Sequence, residues 1–204
     1  MRIVGLCGGS GSGKSTVASM LLPYGIPTLC ADTLYHELVS QRSACVDELC
    51  AVFGDGIVRP DGSLDRRALS RIVFAEGADA QTLRQTLNRI THAHVLKCAR
   101  ERIEQLRAQG VPAVLFDAPL LFESGFDRQC DLTVCVVAPL SVRVARLTAR
   151  DGITEEQAMA RIRTQIPDEE LVRRCDAVVY NGESKDCLHV QIEALAKKIL
   201  NKQE

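Results

Sequence analysis

Nine consecutive residues carry the sharpest chemistry in the chain: Gly8, Gly9, Ser10, Gly11, Ser12, Gly13, Lys14, Ser15 and Thr16. They fit the pattern GxxxxGK[ST], rich in glycine and closed by a lysine and two hydroxyls. The glycines let backbone N–H groups turn inward around phosphate oxygens. A helix starting at Lys14 adds unpaired N–H groups and dipole charge. Lys14 is expected to reach the β and γ phosphates, and Ser15 to ligate Mg²⁺ through its Oγ. Thr16 is expected to support the helix start or touch the α-phosphate. An apolar run at residues 3–7 precedes the loop, and a helix-compatible run at 14–22 follows it, stopped by Pro23. Strand before and helix after distinguish this loop from a chance glycine-rich turn. The chain is therefore expected to bind a nucleoside triphosphate with Mg²⁺.

Such a loop needs a further acid to order magnesium or the acceptor, usually at the end of a neighbouring strand. Asp32 and Asp117 both stand where an apolar strand run gives way to a loop. Ligands bind at that edge of a parallel sheet. Asp32 can accept a proton from an acceptor hydroxyl or help hold Mg²⁺. Asp117 can order Mg²⁺ through water or contact the acceptor. The plainer alternative for each is an N-cap or turn aspartate.

Arg143, Arg146 and Arg150 are spaced by three and four residues, so they nearly share one helix face. Three like charges repel unless acids or phosphates answer them. Arginines in such a set can stabilise charge spreading over a transferred phosphoryl group. They often ride on a segment that closes and excludes water. The alternative is a solvated, arginine-rich surface. Arg66 and Arg67 lie further upstream, as do His92 and His94. Histidines two apart on a helix do not face each other, which argues against a shared metal there. Residues 119–123, including Leu120, form an apolar stretch that lines an acceptor pocket or simply packs.

The elements that must position these groups alternate in type. Apolar runs at 3–7, 27–31, 111–116, 132–137 and 177–180 read as five strands, several of them as buried parallel strands. Helical patterns cover 33–53 with a break near 40–43, then 64–74, about 79–109, 141–150, 154–163 and 188–200. Gly77 interrupts the second and third of these patterns, and Gly110 closes the third. Turn signals at 54–63 allow a β-hairpin. Thr154 and Gln157 have capping-box spacing. This alternation predicts an α/β fold with a parallel sheet.

Composition narrows the class. The chain has 204 residues, 46% hydrophobic, with formal net charge -1. That gives a sizeable core and no bulk charge for nucleic acid. No apolar run approaches the length of a membrane helix, and no signal peptide is evident. A soluble, cytoplasmic protein is expected, with no nucleic-acid or membrane partner and with a monomer favoured. The nine cysteines include no CxxC pair, so reduced, unliganded thiols are expected. No NKxD motif supports a switch GTPase.

The ordered series of motifs resembles the dephospho-coenzyme A kinase family over nearly the whole chain. It runs from Val4–Gly5–Leu6 into the phosphate loop, then Ala31–Asp32, then Asp61–Gly62–Ser63–Leu64 and Arg66–Arg67–Ala68–Leu69. Val73–Phe74, Leu87–Asn88, Ile90 and His92 follow. The most telling stretch is Asp117–Ala118–Pro119–Leu120–Leu121–Phe122–Glu123. Arg143, Arg146, Arg150–Asp151, Arg161–Ile162, Gln165, Asp176 and Asn181–Gly182 complete it. The resemblance implies transfer of the ATP γ-phosphate to the ribose 3′-hydroxyl of dephospho-CoA, the last step of coenzyme A synthesis. It puts Asp32 on the family's proposed general base and Arg146 on a lid arginine that contacts ATP. Lys14 and Ser15 then serve ATP and magnesium, and Asn181 lies near the adenine. Arg67, His92, Asp117 and Leu120 fall near the acceptor. Three positions depart from the family pattern: Cys30 for a usual aspartate, Ala93 for a proline, and Cys7 for a common threonine.

The expected fold class is a P-loop NTPase of α/β type. A five-stranded parallel sheet is flanked by helices, with a helical acceptor-binding insertion and a helical lid. The expected regions are a core at residues 1–33, a helical CoA-binding insertion at 34–110, core strands at 111–140, lid helices at 141–166, and a closing strand and helix at 167–204. The nearest alternative activity is another small-molecule or nucleoside monophosphate kinase. An alternative of another class is a nucleotide-dependent regulatory protein without acceptor chemistry.

Overall fold

A computed structural model describes residues 1–75 and 80–201. Gly77 and Asp79, where the sequence pattern breaks and resumes, lie outside the described residues. Two compact units are present: Met1–Leu29 with Gln105–Glu204, and Cys30–Glu104.

The first unit is built on the sheet. Its strands are β1 (Arg2–Cys7), β2 (Thr28–Cys30), β3 (Ala113–Asp117), β4 (Leu132–Val137) and β5 (Ala177–Tyr180), in the order β2-β3-β1-β4-β5. The chain thus winds one way from β1 and then the other, so β1 is central. β1 pairs in parallel with β3, Leu6 opposite Asp117, and with β4, Cys7 opposite Cys135. All six residues of β4 are buried, as a sequence that is apolar but for Thr133 requires of a strand covered on both faces. Helices α1 (Lys14–Leu21) and α9 (Lys185–Leu200) contribute Val17, Leu21, Ile192 and Ala196 to the core over Val4, Leu6 and Val134. The Ser184 hydroxyl accepts from the N–H of Cys187, which starts α9 three residues earlier than its apolar pattern indicates.

Between β4 and β5 stand α6 (Leu140–Asp151), α7 (Glu155–Arg163) and α8 (Asp168–Arg174). The expected capping box forms: Thr154 and Gln157 bond each other's backbone N–H groups. Helix α8 is an addition to the sequence reading, in which Pro167 simply ends the preceding helix. Pro167 instead occupies the N-cap position of a new helix, whose first turn holds Asp168, Glu169 and Glu170. Acids there suit the positive end of the helix dipole.

The second unit contains α2 (Ala31–Val39), α3 (Ala44–Phe53), α4 (Arg66–Val73) and most of α5 (Ala80–Ala108). The break expected near 40–43 is real. Ser43 then caps α3 by accepting from the Val46 N–H. Asp65 caps α4 through the N–H groups of Arg67 and Ala68, so the helix starts two residues after Leu64. Leu49, Ile57 and Ile90 are fully buried in this unit's own core. Each contributes about 1.5–3 kcal/mol by burial. The hairpin allowed at 54–63 reduces to a single antiparallel bridge, Val58 to Leu64. The Asp61 carboxylate takes the N–H and hydroxyl of Ser63, and this tight turn stands in place of a ladder. Among the described residues, no helix is long and apolar enough to cross a membrane.

Candidate active site

The phosphate loop leaves the carboxyl end of the central strand and enters α1 at Lys14. Its carbonyls point outward into a set of cations. Arg143 Nε donates to the Ser10 carbonyl at 2.9 Å. Arg146 Nη1 donates to the carbonyls of Gly11 and Ser12, both at 3.2 Å. The Asn181 amide also donates to Ser12, at 2.8 Å, and Lys14 Nζ donates to Gly8 at 2.9 Å. Gln165 clasps Ser10 twice, accepting from its N–H at 2.8 Å and donating to its hydroxyl at 2.9 Å. With the carbonyls held outward, N–H groups are left to face the other way. Those of Gly11, Gly13, Lys14 and Ser15 have no protein acceptor among the described residues. This is the donor set that an oligophosphate requires.

Two glycines are needed here because other groups come so close. A Cβ on Gly9 would overlap the guanidinium of Arg143, and one on Gly13 would overlap the Asn181 amide nitrogen. Gly13 also has φ 95°, which L side chains rarely adopt.

The arginine row of α6 divides into three different jobs. Arg143 is buried, and its Nη1 meets both carboxylate oxygens of Asp168 at 2.8 and 2.9 Å. For Arg143, this burial excludes the alternative of a solvated surface charge. Arg146 is half-buried, and its Nη2 reaches the Asn181 carbonyl and side-chain oxygen at 3.1 and 3.3 Å. Arg150 is exposed and pairs with Asp151, as does Arg161. The like charges along one helix face are thus answered by acids and by loop carbonyls.

Other expected site residues have separate settings. Ser15 and Thr16 are exposed on the first turn of α1. Asp117 ends β3 beside β1, and the next N–H, of Ala118, donates to the Leu6 carbonyl at 3.2 Å. Asp117 therefore stands at the same sheet edge as the phosphate loop. Leu120 is exposed, whereas Leu121 beside it is fully buried. Phe122 lies under the Arg174 guanidinium at 4.0 Å. In the second unit, Asp32 is the exposed second residue of α2, where a carboxylate complements the helix dipole. Arg67 is exposed on α4, and His92 is half-buried on α5. His94 turns elsewhere, meeting Glu48 at 2.8 Å.

Sequence reasoning missed Asp168 altogether. Its signal is the acidic triplet after Pro167, which marks a helix start. Gln165 was visible only as part of a motif series, with no indication that it grips the loop.

The family model for dephospho-CoA kinase matches residues 2–186. A dephospho-CoA kinase of Symbiobacterium thermophilum is 43% identical over 194 residues, covering 95% of this chain and 80% of that one. A dephospho-CoA kinase of Corynebacterium glutamicum is 37% identical over 202 residues, covering 99% of each. Among solved structures, that of TT1252 from Thermus thermophilus is 35% identical. It covers 97% of both chains with a TM-score of 0.79. By family model and by relatives, the chain belongs to the dephospho-CoA kinase family.

Proposed function

We propose that the chain transfers the γ-phosphate of ATP to the ribose 3′-hydroxyl of dephospho-CoA, giving CoA and ADP. The observation that carries the donor half is the phosphate loop, its carbonyls held back by Arg143, Arg146 and Asn181 and its N–H groups facing away. The acceptor half rests on membership of the family.

In this reading the loop N–H groups bind the phosphates, and Lys14 shifts from the Gly8 carbonyl onto the β and γ oxygens. A preorganised donor set of this kind loses little in reorganisation during transfer. The hydroxyl oxygen of exposed Ser15 and the carboxylate of half-buried Asp117 are hard donors of the type Mg²⁺ takes. A magnesium ion held by Ser15 and Asp117 would supply positive charge against the charge developing on the transferred group. Asp32 orients the acceptor hydroxyl and accepts its proton late, since a carboxylate is a weak base toward an alcohol. Arg146, half-buried and bonded to the loop carbonyls, meets the transferred group. Asn181 contributes on the adenine side, and Arg67, His92 and Leu120 contribute on the acceptor side.

The test is a coupled ADP-release assay with ATP and Mg²⁺. Release stimulated by dephospho-CoA, but not by adenosine or nucleoside monophosphates, is the expected result. Stimulation by a nucleoside monophosphate alone would transfer the chain to another acceptor class. ATP binding without turnover on any acceptor would favour a regulatory protein.

A further inference from the structure

Cys7, Cys135 and Cys175 come from three different elements, yet their Sγ atoms all lie within 4.8 Å of one another. Cys7 ends β1, Cys135 faces it in register on β4, and Cys175 caps the carboxyl end of α8. The Sγ atoms of Cys7 and Cys175 are 3.4 Å apart. Cys7 and Cys135 are buried, while Cys175 is partly exposed and offers a side for entry. Phosphoryl transfer, as assigned above, uses none of the three.

Three sulfurs about 2.3 Å from a central ion stand roughly 4 Å apart in a plane. The observed cluster has that scale. Among the described residues, no histidine, acid or fourth cysteine joins the group. Zinc wants four ligands, and the cluster supplies three. An all-sulfur set of three suits a soft monovalent ion, and cuprous copper is the one that thiolates select. We propose that Cys7, Cys135 and Cys175 form a three-coordinate thiolate site for Cu(I), on the strand that feeds the phosphate loop.

On binding, three S–Cu bonds form and the S–H bonds of Cys7, Cys135 and Cys175 break. All three protons leave to solvent, and copper stays in the +1 state, so no oxidant or reductant is consumed.

The experiment titrates the reduced, metal-free full chain with Cu(I) under anaerobic conditions, against a chromophoric Cu(I) chelator. One equivalent withheld from the chelator is expected, with a near-ultraviolet sulfur-to-copper band and a raised thermal midpoint. Cys175→Ser and Cys135→Ala should each lose the band and weaken binding by about 100-fold or more, a loss at least as large as that for outer partners of a metal site. Cys187→Ser, exposed and outside the cluster, should bind like the parent. Far-ultraviolet circular dichroism and ADP release show that each variant is folded, and either cluster variant alone suffices for the comparison. No retained equivalent, full binding in a folded Cys175→Ser or Cys135→Ala variant, or ready displacement of Cu(I) by excess Zn(II) would overturn the proposal.

Discussion

Arg143 and Asp168 meet at 2.8 Å, with the arginine side chain 6% exposed and the aspartate 23%. The same guanidinium holds the Ser10 carbonyl, so the phosphate loop hangs from a buried ion pair. Asp168→Ala would leave a buried charge without its acid. Breaking a fully buried pair costs about 3–5 kcal/mol. The partial exposure of Asp168 lowers the expectation to about 2 kcal/mol, read from urea unfolding. The KM for ATP should rise with it, because Ser10 loses its fixed anchor. Unchanged stability together with unchanged KM would show that the pair does not support the loop.

Gly13→Ala meets two obstacles, a left-handed backbone and the Asn181 amide. The backbone term is worth about 1–2 kcal/mol. ATP affinity should fall by about 10-fold or more. Asn181→Ala in the same chain removes the overlap but not the backbone strain. The double variant should therefore be less impaired than the sum of the two singles. Strict additivity in a binding titration would show that the overlap is relieved by local movement.

Much of this arrangement was legible in the sequence because it is local. The glycines, Lys14 and Ser15 form one continuous motif, and a β4 that is apolar but for Thr133 announces a strand covered on both faces. The Arg143 ion pair was not legible, because Asp168 lies on another helix and pairing across 25 residues leaves no periodic trace. The three cysteines were hidden for the same reason. Positions 7, 135 and 175 become neighbours only once β1 and β4 are in register. The hairpin was overestimated because the Asp61–Ser63 hydrogen bonds close a turn without needing strands on either side.

Asp176 joins β4 to β5 by accepting from the N–H and hydroxyl of Thr133, at 2.8 and 2.7 Å. These bonds, the hydroxyl first, hold its carboxyl below the ordinary value of 3.8. A carboxyl depressed in the folded state stabilises the fold fully above its unfolded value. That contribution is lost as pH falls through the lower folded value. The urea midpoint of the parent should therefore exceed that of Asp176→Asn near neutral pH, and the gap should close below about pH 4. A gap that stays constant down to about pH 3 would separate these hydrogen bonds from the acid response.

Asp32→Asn keeps the size of the side chain and removes its basicity. General-base residues contribute about 10²–10⁴-fold. The expected result is a fall of about 100-fold in kcat with the KM for ATP within about twofold. A kcat within about twofold of the parent would remove Asp32 from the acceptor chemistry.

Arg146 offers the sharpest separation between a structural and a chemical role. Its guanidinium bonds the carbonyls of Gly11, Ser12 and Asn181, so part of its work is holding the loop. Its half-buried position also leaves charge to meet a transferred phosphoryl group. Removing one preorganised donor costs about 10²–10³-fold in kcat, and that is the loss expected of Arg146→Ala. Arg146→Lys retains the charge but not the planar fork that reaches four oxygens. If charge dominates, lysine should restore most of kcat while the KM for ATP stays raised. If the fork dominates, lysine should restore neither. Unchanged kcat and unchanged KM in the alanine variant would remove Arg146 from both roles.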